Sequence, residues 1–352
     1  MDFKNKKVVV CDFSSDYYFP PKGYGGIERW LWTVAKESLN LGMKVIIIGP
    51  KWKKRSLQQA IHEPKSITII SLKDFTERYG IVDFLVAGHE YWHNKNLRRK
   101  FEKISKKTIT FQHMPDPIFK KRYFDRKKHF LFCYSNEMIK RFKLQSPIKE
   151  LCVSRGYNEK AIKKNKKGYL VWIGRLDKDK IPHIAVLAAK KINKQIYLLG
   201  KPIRENDYFK KYKNILKMNH VKRFTSKGCK RNEVTGKNKM DLIAKADCMI
   251  YTLNSDYIEA GSAIFADSLS CGVPVAAISW KNNDCSYAAL NSKTGVIAKI
   301  NQKDDQEKIV NKLSKAINSC LKLDRKLVYE IGSKKFNSKN LVKKMYLKTK
   351  GI

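Results

Sequence analysis

Two carboxylates, Glu259 and Asp267, flank the small residues Ala260-Gly261-Ser262-Ala263 within the segment 257–275. An apolar-periodic run follows. Cys271-Gly272 and Pro274 close it, and a β-branched strand begins at Val273. Gly261 and Ser262 suit a loop whose backbone approaches a ligand and then opens a helix, where free N–H groups favour an anion. With a helix opening near Ser262, Glu259 stands on the loop and Asp267 about a turn and a half inside. Both acids can then address one polar molecule, with a phosphate at the helix end. A surface acid and a first-turn acid of an ordinary helix fit the same letters, so the segment alone leaves both readings open.

Three further constellations have the residue types for chemistry. Gly174-Arg175-Leu176-Asp177-Lys178-Asp179-Lys180 follows an apolar run. Arg175 and Lys180, five apart across a turn, can converge on one diphosphate at a strand's carboxyl end. The same stretch contains a D-x-D, a metal–diphosphate ligand pattern that also arises by chance in charged turns. Gly23, Gly25 and Gly26, with Glu28 beyond them, lie between a strand-like run and helical spacing at Ile27, Trp30, Leu31 and Val34. Such a loop admits a phosphate or sugar, but its spacing is not G-x-G-x-x-G, which argues against a dinucleotide fingerprint. His89, His93 and His113 form a third group, in which His89 and His113 follow apolar runs and Pro115-Asp116 fixes the chain after His113. A structural histidine is the commoner outcome for any one of them. No H-E-x-x-H or Cys-x-x-Cys spacing marks a metal site, and none is expected.

Composition narrows the partners. The 352 residues carry 74 Lys+Arg against 32 Asp+Glu, a formal charge of +42, while 43% are hydrophobic. That fraction builds full cores and excludes a disordered chain, and the charge predicts attraction to a polyanion. Thirteen Lys/Arg fall between Lys95 and Lys128, interleaved with Tyr91, Trp92, Phe119, Tyr123 and Phe124 nearby. Arg98, Arg99, Lys100, Lys120, Lys121, Arg122 and Arg126 are the candidate polyanion contacts, and a solvated helix face is the plainer account of the same charges. The eight cysteines are scattered, several within apolar runs, as in a reducing compartment. Without a signal-like or membrane-spanning apolar stretch, the expected location is the cytoplasm, that of a host if the protein is viral.

The elements that would position these residues are legible as short apolar runs. Val8–Cys11, Lys44–Ile48, Ile67–Ile70, Phe84–Ala87, Thr108–Phe111 and Phe130–Cys133 read as buried strands. Gly42 reads as the cap of the first helix. The pattern restarts with strands at Tyr169–Ile173 and Gln195–Leu199 around a helix Pro182–Lys191. A helix Met240–Ala246 and strands Cys248–Tyr251 and Pro274–Ile278 complete it. Strand–helix alternation predicts parallel sheets. The lysine-rich stretch Lys160–Lys167 divides two domains, 1–160 and 161–336. Residues 337–352 form a helix expected to return to the N-terminal domain.

With these pieces in chain order, the sequence resembles the retaining GT-B glycosyltransferases of family four. Gly25-Gly26-Ile27-Glu28 is similar to their G-G-x-E loop, and Gly174-Arg175-Leu176 with Lys180 to their G-R-L-x-x-x-K. Glu259 and Asp267 fall on their paired-acid motif. The resemblance implies an α/β protein of two Rossmann-like domains facing across a cleft, with a nucleotide-sugar, chiefly a UDP-sugar, as substrate. No cofactor or metal is implied. It places Arg175 and Lys180 on the diphosphate, Glu259 on the sugar hydroxyls, Asp267 on the ribose and His113 near the transferred sugar. Gly25, Gly26, Gly261 and Ser262 would line the donor. Two departures stand out: the second acid is Asp rather than Glu, and Ala260-Gly261-Ser262 replaces the usual Pro-Phe-Gly.

The charge and the Lys95–Lys128 cluster favour DNA as the polyanion. The chain also resembles, in character rather than motif, the bacteriophage enzymes that glycosylate hydroxymethylated cytosine, and that resemblance implies a 5-hydroxymethylcytosine-type base as the first acceptor expected. A cell-envelope glycan, lipopolysaccharide, capsule or lipid-linked, with an anionic membrane nearby, is the alternative. A GT-B protein that binds DNA or glycan without catalysis is a third. No obligate protein partner is expected.

Overall fold

The computed structural model describes residues 2–11, 19, 26–49, 67–71, 75, 80–88, 95–112, 128–134, 139, 168–200, 207–223, 234, 236–257, 263–280 and 289–349. The chain divides into two compact units, Met1–Ser154 with Asn337–Ile352, and Arg155–Phe336. The stretch 160–167 lies outside the described residues.

The first unit is built on a six-stranded sheet of β1 (Lys7–Cys11), β2 (Lys44–Gly49), β3 (Ile67–Ser71), β4 (Val82–Ala87), β5 (Ser105–Phe111) and β6 (His129–Phe132). All pairs are parallel and the order is 3-2-1-4-5-6. β1 lies at its centre because Val8, Val9, Val10 and Cys11 are apolar without alternation and fully buried, as a strand covered on both faces requires. Helix α1 (Gly26–Asn40) buries Trp30, Leu31, Val34 and Ala35 on one stripe. It ends where expected, at Gly42, with φ +84°, while the Met43 amide reaches back to the Ser38 carbonyl at 3.1 Å. Helix α2 (Lys95–Ile104) leads directly into β5.

The second unit repeats the architecture with β7 (Leu170–Ile173), β8 (Ile196–Leu199), β9 (Val221–Arg223), β10 (Cys248–Tyr251), β11 (Val275–Trp280) and β12 (Gly295–Ile300). Its order, β12-β11-β10-β7-β8-β9, is the same doubly wound pattern. Helix α3 (Pro182–Lys191) follows β7, with proline in its first turn, where its missing N–H costs nothing. Helices α4 (Asp207–Leu216), α5 (Gly236–Ala244), α6 (Ala263–Ser270), α7 (Gln306–Cys320) and α8 (Arg325–Lys335) complete the unit. α5 begins four residues before the start read from the sequence, because Gly236 to Lys239 are polar and hide the helical period. β9 and β12 lack long apolar runs and were not expected.

Two contacts fix α6. A Cβ on Gly332 of α8 would fall 2.3 Å from the Leu269 carbonyl oxygen, so only glycine lets α8 lie this close. The Arg325 guanidinium, mostly buried, donates to the carbonyls of Gly272, Ala246 and Ala244 at 3.2, 3.0 and 2.7 Å. It thereby ties the ends of α5 and α6 together. Helix α9 (Ser338–Lys348) belongs to the first unit, where the Tyr346 and Ser38 hydroxyls lie 2.6 Å apart and the Tyr346 ring packs 4.7 Å from that of Phe84.

Candidate functional site

In a doubly wound sheet the connections leave in opposite directions from two adjacent central strands, and their carboxyl ends open a crevice. In the second unit those strands are β7 and β10. The loop after β7 carries Gly174 to Ile181, and the loop after β10 carries Thr252 to Tyr257. The two are stitched together. The Trp172 indole donates to the Thr252 hydroxyl at 3.0 Å, and that hydroxyl donates to the Lys180 carbonyl. The Asn254 amide donates to the Asp179 carbonyl at 2.9 Å.

Within this frame the sequence's Arg175 and Lys180 come together around one aromatic ring. Lys180, 6% exposed, donates from Nζ to the Tyr251 hydroxyl at 3.1 Å and stands 4.5 Å from the centre of the Tyr257 ring. The Arg175 guanidinium lies 5.8 Å from the same ring. Cations over aromatic faces are attracted by the ring quadrupole, more strongly where water is excluded. Tyr251 and Tyr257 were not singled out from the sequence. The signal available was that Tyr251 ends a strand already read as buried and Tyr257 opens the segment that carries Glu259 and Asp267.

The D-x-D acids have other work. Arg175 Nε lies 3.1 Å from Asp177 and Nη2 lies 2.8 Å from Asp179, so both carboxylates orient the guanidinium. Asp177 also accepts from the amides of Asp179 and Lys180, each at 3.1 Å, which shapes the turn. Burial pushes the Asp177 carboxyl above its usual range, against the opposing pull of Arg175. Among the described residues no three His, Cys, Asp or Glu side chains gather as a metal group. Ile181, which ends the loop, holds φ +36°, a left-handed conformation that is strained for a β-branched residue. A Cβ on Gly200 would sit 1.9 Å from the Gly174 carbonyl oxygen, so glycine at the end of β8 is what lets the loop start as it does.

Asp267 lies inside α6, 2% exposed, and is ion-paired with Lys239 of α5. Lys239 was missed, because a lysine before a weakly apolar helix looks like solvated surface. Gly26 opens α1, and among the described residues a Cβ there would meet nothing within 4 Å, so their packing does not demand a glycine at that position. Of the cations proposed for a polyanion, Arg99 and Lys100 are exposed on α2, whereas Arg98 is 5% exposed, with Nε 3.6 Å from Glu102. Arg98 thus serves the packing of α2. Gly25, His113, Lys120, Lys121, Arg122, Arg126, Glu259, Gly261 and Ser262 lie outside the described residues, as do His89 and His93.

No protein-family model matches the chain, and no curated protein matches it. Solved structures do. AviGT4, a glycosyltransferase involved in avilamycin A biosynthesis, aligns with a TM-score of 0.68 over 98% of this chain and 97% of its own, at 16% identity. Anabaena HepE in complex with UDP and glucose aligns with a TM-score of 0.67 over 99% of this chain and all of its own, at 14% identity. The pneumococcal O-GlcNAc transferase GtfA, in complex with UDP and GlcNAc, gives 0.66 over 98% of each chain at 9% identity. The fold is GT-B. Both Rossmann-like units of a GT-B protein are therefore present, and the β7–β10 crevice lies where such a sheet binds its ligand.

Proposed function

We propose that the chain is a metal-independent glycosyltransferase that moves a sugar from a nucleotide-sugar, a UDP-sugar first, to an acceptor hydroxyl. The observation that carries this reading is the convergence of Arg175 and Lys180 on the crevice at the carboxyl ends of β7 and β10. Two fixed cations at a switch point, on a GT-B chain, suit a diphosphate. As the glycosidic bond breaks, negative charge grows on the leaving diphosphate, and these cations stabilise it without a metal. Asp267 serves the ribose and Glu259 the sugar hydroxyls. By the family resemblance, His113 is assigned to the transferred sugar and Gly25 and Gly26 to the phosphates. Retention proceeds on one face of the sugar, and no protein nucleophile is assigned.

For the second substrate, the first reading is a glycan acceptor, supported by the sugars bound in solved structures of this fold. HepE is bound to UDP and glucose, and Staphylococcus aureus TarM, TM-score 0.64 at 11% identity, is bound to fondaparinux, α-GlcNAc-glycerol and UDP. The second reading, a hydroxymethylated base in DNA, rests on the +42 charge and the exposed Arg99 and Lys100. UDP-, GDP- and ADP-sugars offered with lipid-linked glycan and with hydroxymethylcytosine DNA, read by mass spectrometry of each acceptor, separate the two. Label entering DNA alone overturns the glycan reading, and no transfer or donor hydrolysis with any sugar overturns the enzyme.

A further inference from the structure

Among the described residues two large apolar side chains stand exposed, Ile81 at 61% and Leu347 at 38%. Both lie at the amino-terminal edge of the first unit's sheet, the edge away from the strand carboxyl ends. Ile81 immediately precedes β4, after Gly80 turns with φ +63°. Leu347 is in the last turn of α9, next to Tyr346 on Phe84, and the Thr349 carbonyl that follows accepts from Lys107 of β5.

Parallel pairing puts the starts of all these strands in one row. Lys7 of β1 is level with Lys44 of β2, and Val82 of β4 with Ser105 of β5. With strands about 4.8 Å apart, the row from β2 to β6 is about 19 Å long. Lys4, Lys6, Lys44, Lys103, Lys106 and Lys348 lie along it, exposed or half-exposed. The acids are few. Asp83 takes Lys106 at 3.1 Å and Lys6 at 3.6 Å, and Asp2 accepts the Lys4 amide.

We infer that this edge docks the protein on an anionic lipid surface. Lysines around exposed isoleucine and leucine suit a headgroup region, which offers phosphates to the charges and acyl chain to the apolar tips. A nucleic-acid backbone answers the lysines equally but leaves Ile81 and Leu347 against charged, hydrated phosphates with nothing gained. The sequence scatters these residues over more than three hundred positions and places them on no single helix. The parallel register and the packing of α9 against Phe84 bring them to one edge.

The test is co-sedimentation of the full chain with vesicles of equal parts phosphatidylcholine and phosphatidylglycerol, against phosphatidylcholine alone. The native chain binds the anionic vesicles. Binding weakens as ionic strength rises from about 0.1 M to about 1 M, where the screening length falls from about 10 Å to about 3 Å. Ile81→Asn with Leu347→Asn, and separately Lys4→Glu with Lys44→Glu, each lower the partition coefficient roughly tenfold while circular dichroism stays native. Failure of the native chain to bind, or native-like binding by either pair, overturns the proposal. So does a gel shift of duplex DNA that depends on the same lysines in the absence of vesicle binding. The readout involves no sugar transfer, and donor hydrolysis by the Ile81/Leu347 pair is expected to equal that of the native chain. The docking inference and the glycosyltransferase reading therefore fail separately.

Discussion

The Asp267 carboxylate, buried in α6, is held by Lys239 of α5. The residue expected to meet a ribose is thus already ion-paired, and a nucleotide must share it with Lys239 or displace that lysine. Removing one partner of a buried pair leaves an uncompensated charge, at about 3–5 kcal/mol. Lys239→Met should therefore destabilise the fold by that order in chemical denaturation, and adding Asp267→Asn should recover much of the loss. Asp267→Ala should weaken UDP binding by calorimetry before it lowers turnover. Unchanged UDP affinity would remove Asp267 from the ribose.

Lys180 bridges Tyr251 and Tyr257, and the prediction for it separates charge from packing. Lys180→Met keeps the stem and deletes the ammonium. Loss of a cation that stabilises a leaving group costs about 100- to 1000-fold in turnover. Arg175→Met should cost a similar factor, and it releases Asp177 and Asp179 as well. Tyr251→Phe should cost only about 1 kcal/mol of stability, the worth of one hydrogen bond, with a modest effect on rate. If Lys180→Met turns over donor like the native chain, the diphosphate assignment is wrong.

What the sequence disclosed follows from whether the signal is local. Strands such as Val8–Cys11 and Cys248–Tyr251 are runs of apolar residues, and helix Pro182–Lys191 carries its own start signal, so both were legible. Arg175 and Lys180 were legible because their spacing within one loop is itself the geometry. The pair Lys239–Asp267 joins two helices 28 residues apart in sequence, and no period records it. Arg98 counted as surface charge, because a sequence does not say which side of a helix a neighbouring strand will cover. Arg98 is buried, with Nε 3.6 Å from Glu102, which His129 of β6 also approaches at 3.5 Å.

Gly200 offers a steric test of the loop that carries those cations. A methyl group there would overlap the Gly174 carbonyl oxygen at 1.9 Å, and backbone cannot step aside as a side chain can. Gly200→Ala should cost about 1–3 kcal/mol, in the range of overpacked cores, and should lower donor affinity by displacing Arg175. Gly26→Ala should leave stability nearly unchanged, since among the described residues no atom lies within 4 Å of the added group. Thermal melting of the two variants distinguishes a glycine required by packing from one that packing does not require.

His183 gives a pH signature for the second unit. It lies in the first turn of α3, with Nδ1 2.6 Å from the Tyr208 hydroxyl and its ring stacked 3.8 Å from that of Tyr212. Burial, aided by the Lys211 charge, lowers its pKa to about 4. An unfolded histidine titrates near 6.5, so between those values the unfolded chain binds more protons than the folded one. Stability contributed by keeping His183 neutral is therefore complete above about pH 6.5. It declines as pH falls and levels off below about 4, for a total on the order of 3 kcal/mol. His183→Phe removes this proton uptake, even though it also forfeits the Tyr208 hydrogen bond. Chemical denaturation from about pH 4 to about pH 7 should show a shallower rise in stability with pH for the variant than for the native chain. Equal slopes would mean that His183 titrates normally in the fold and that burial does not exclude its charge.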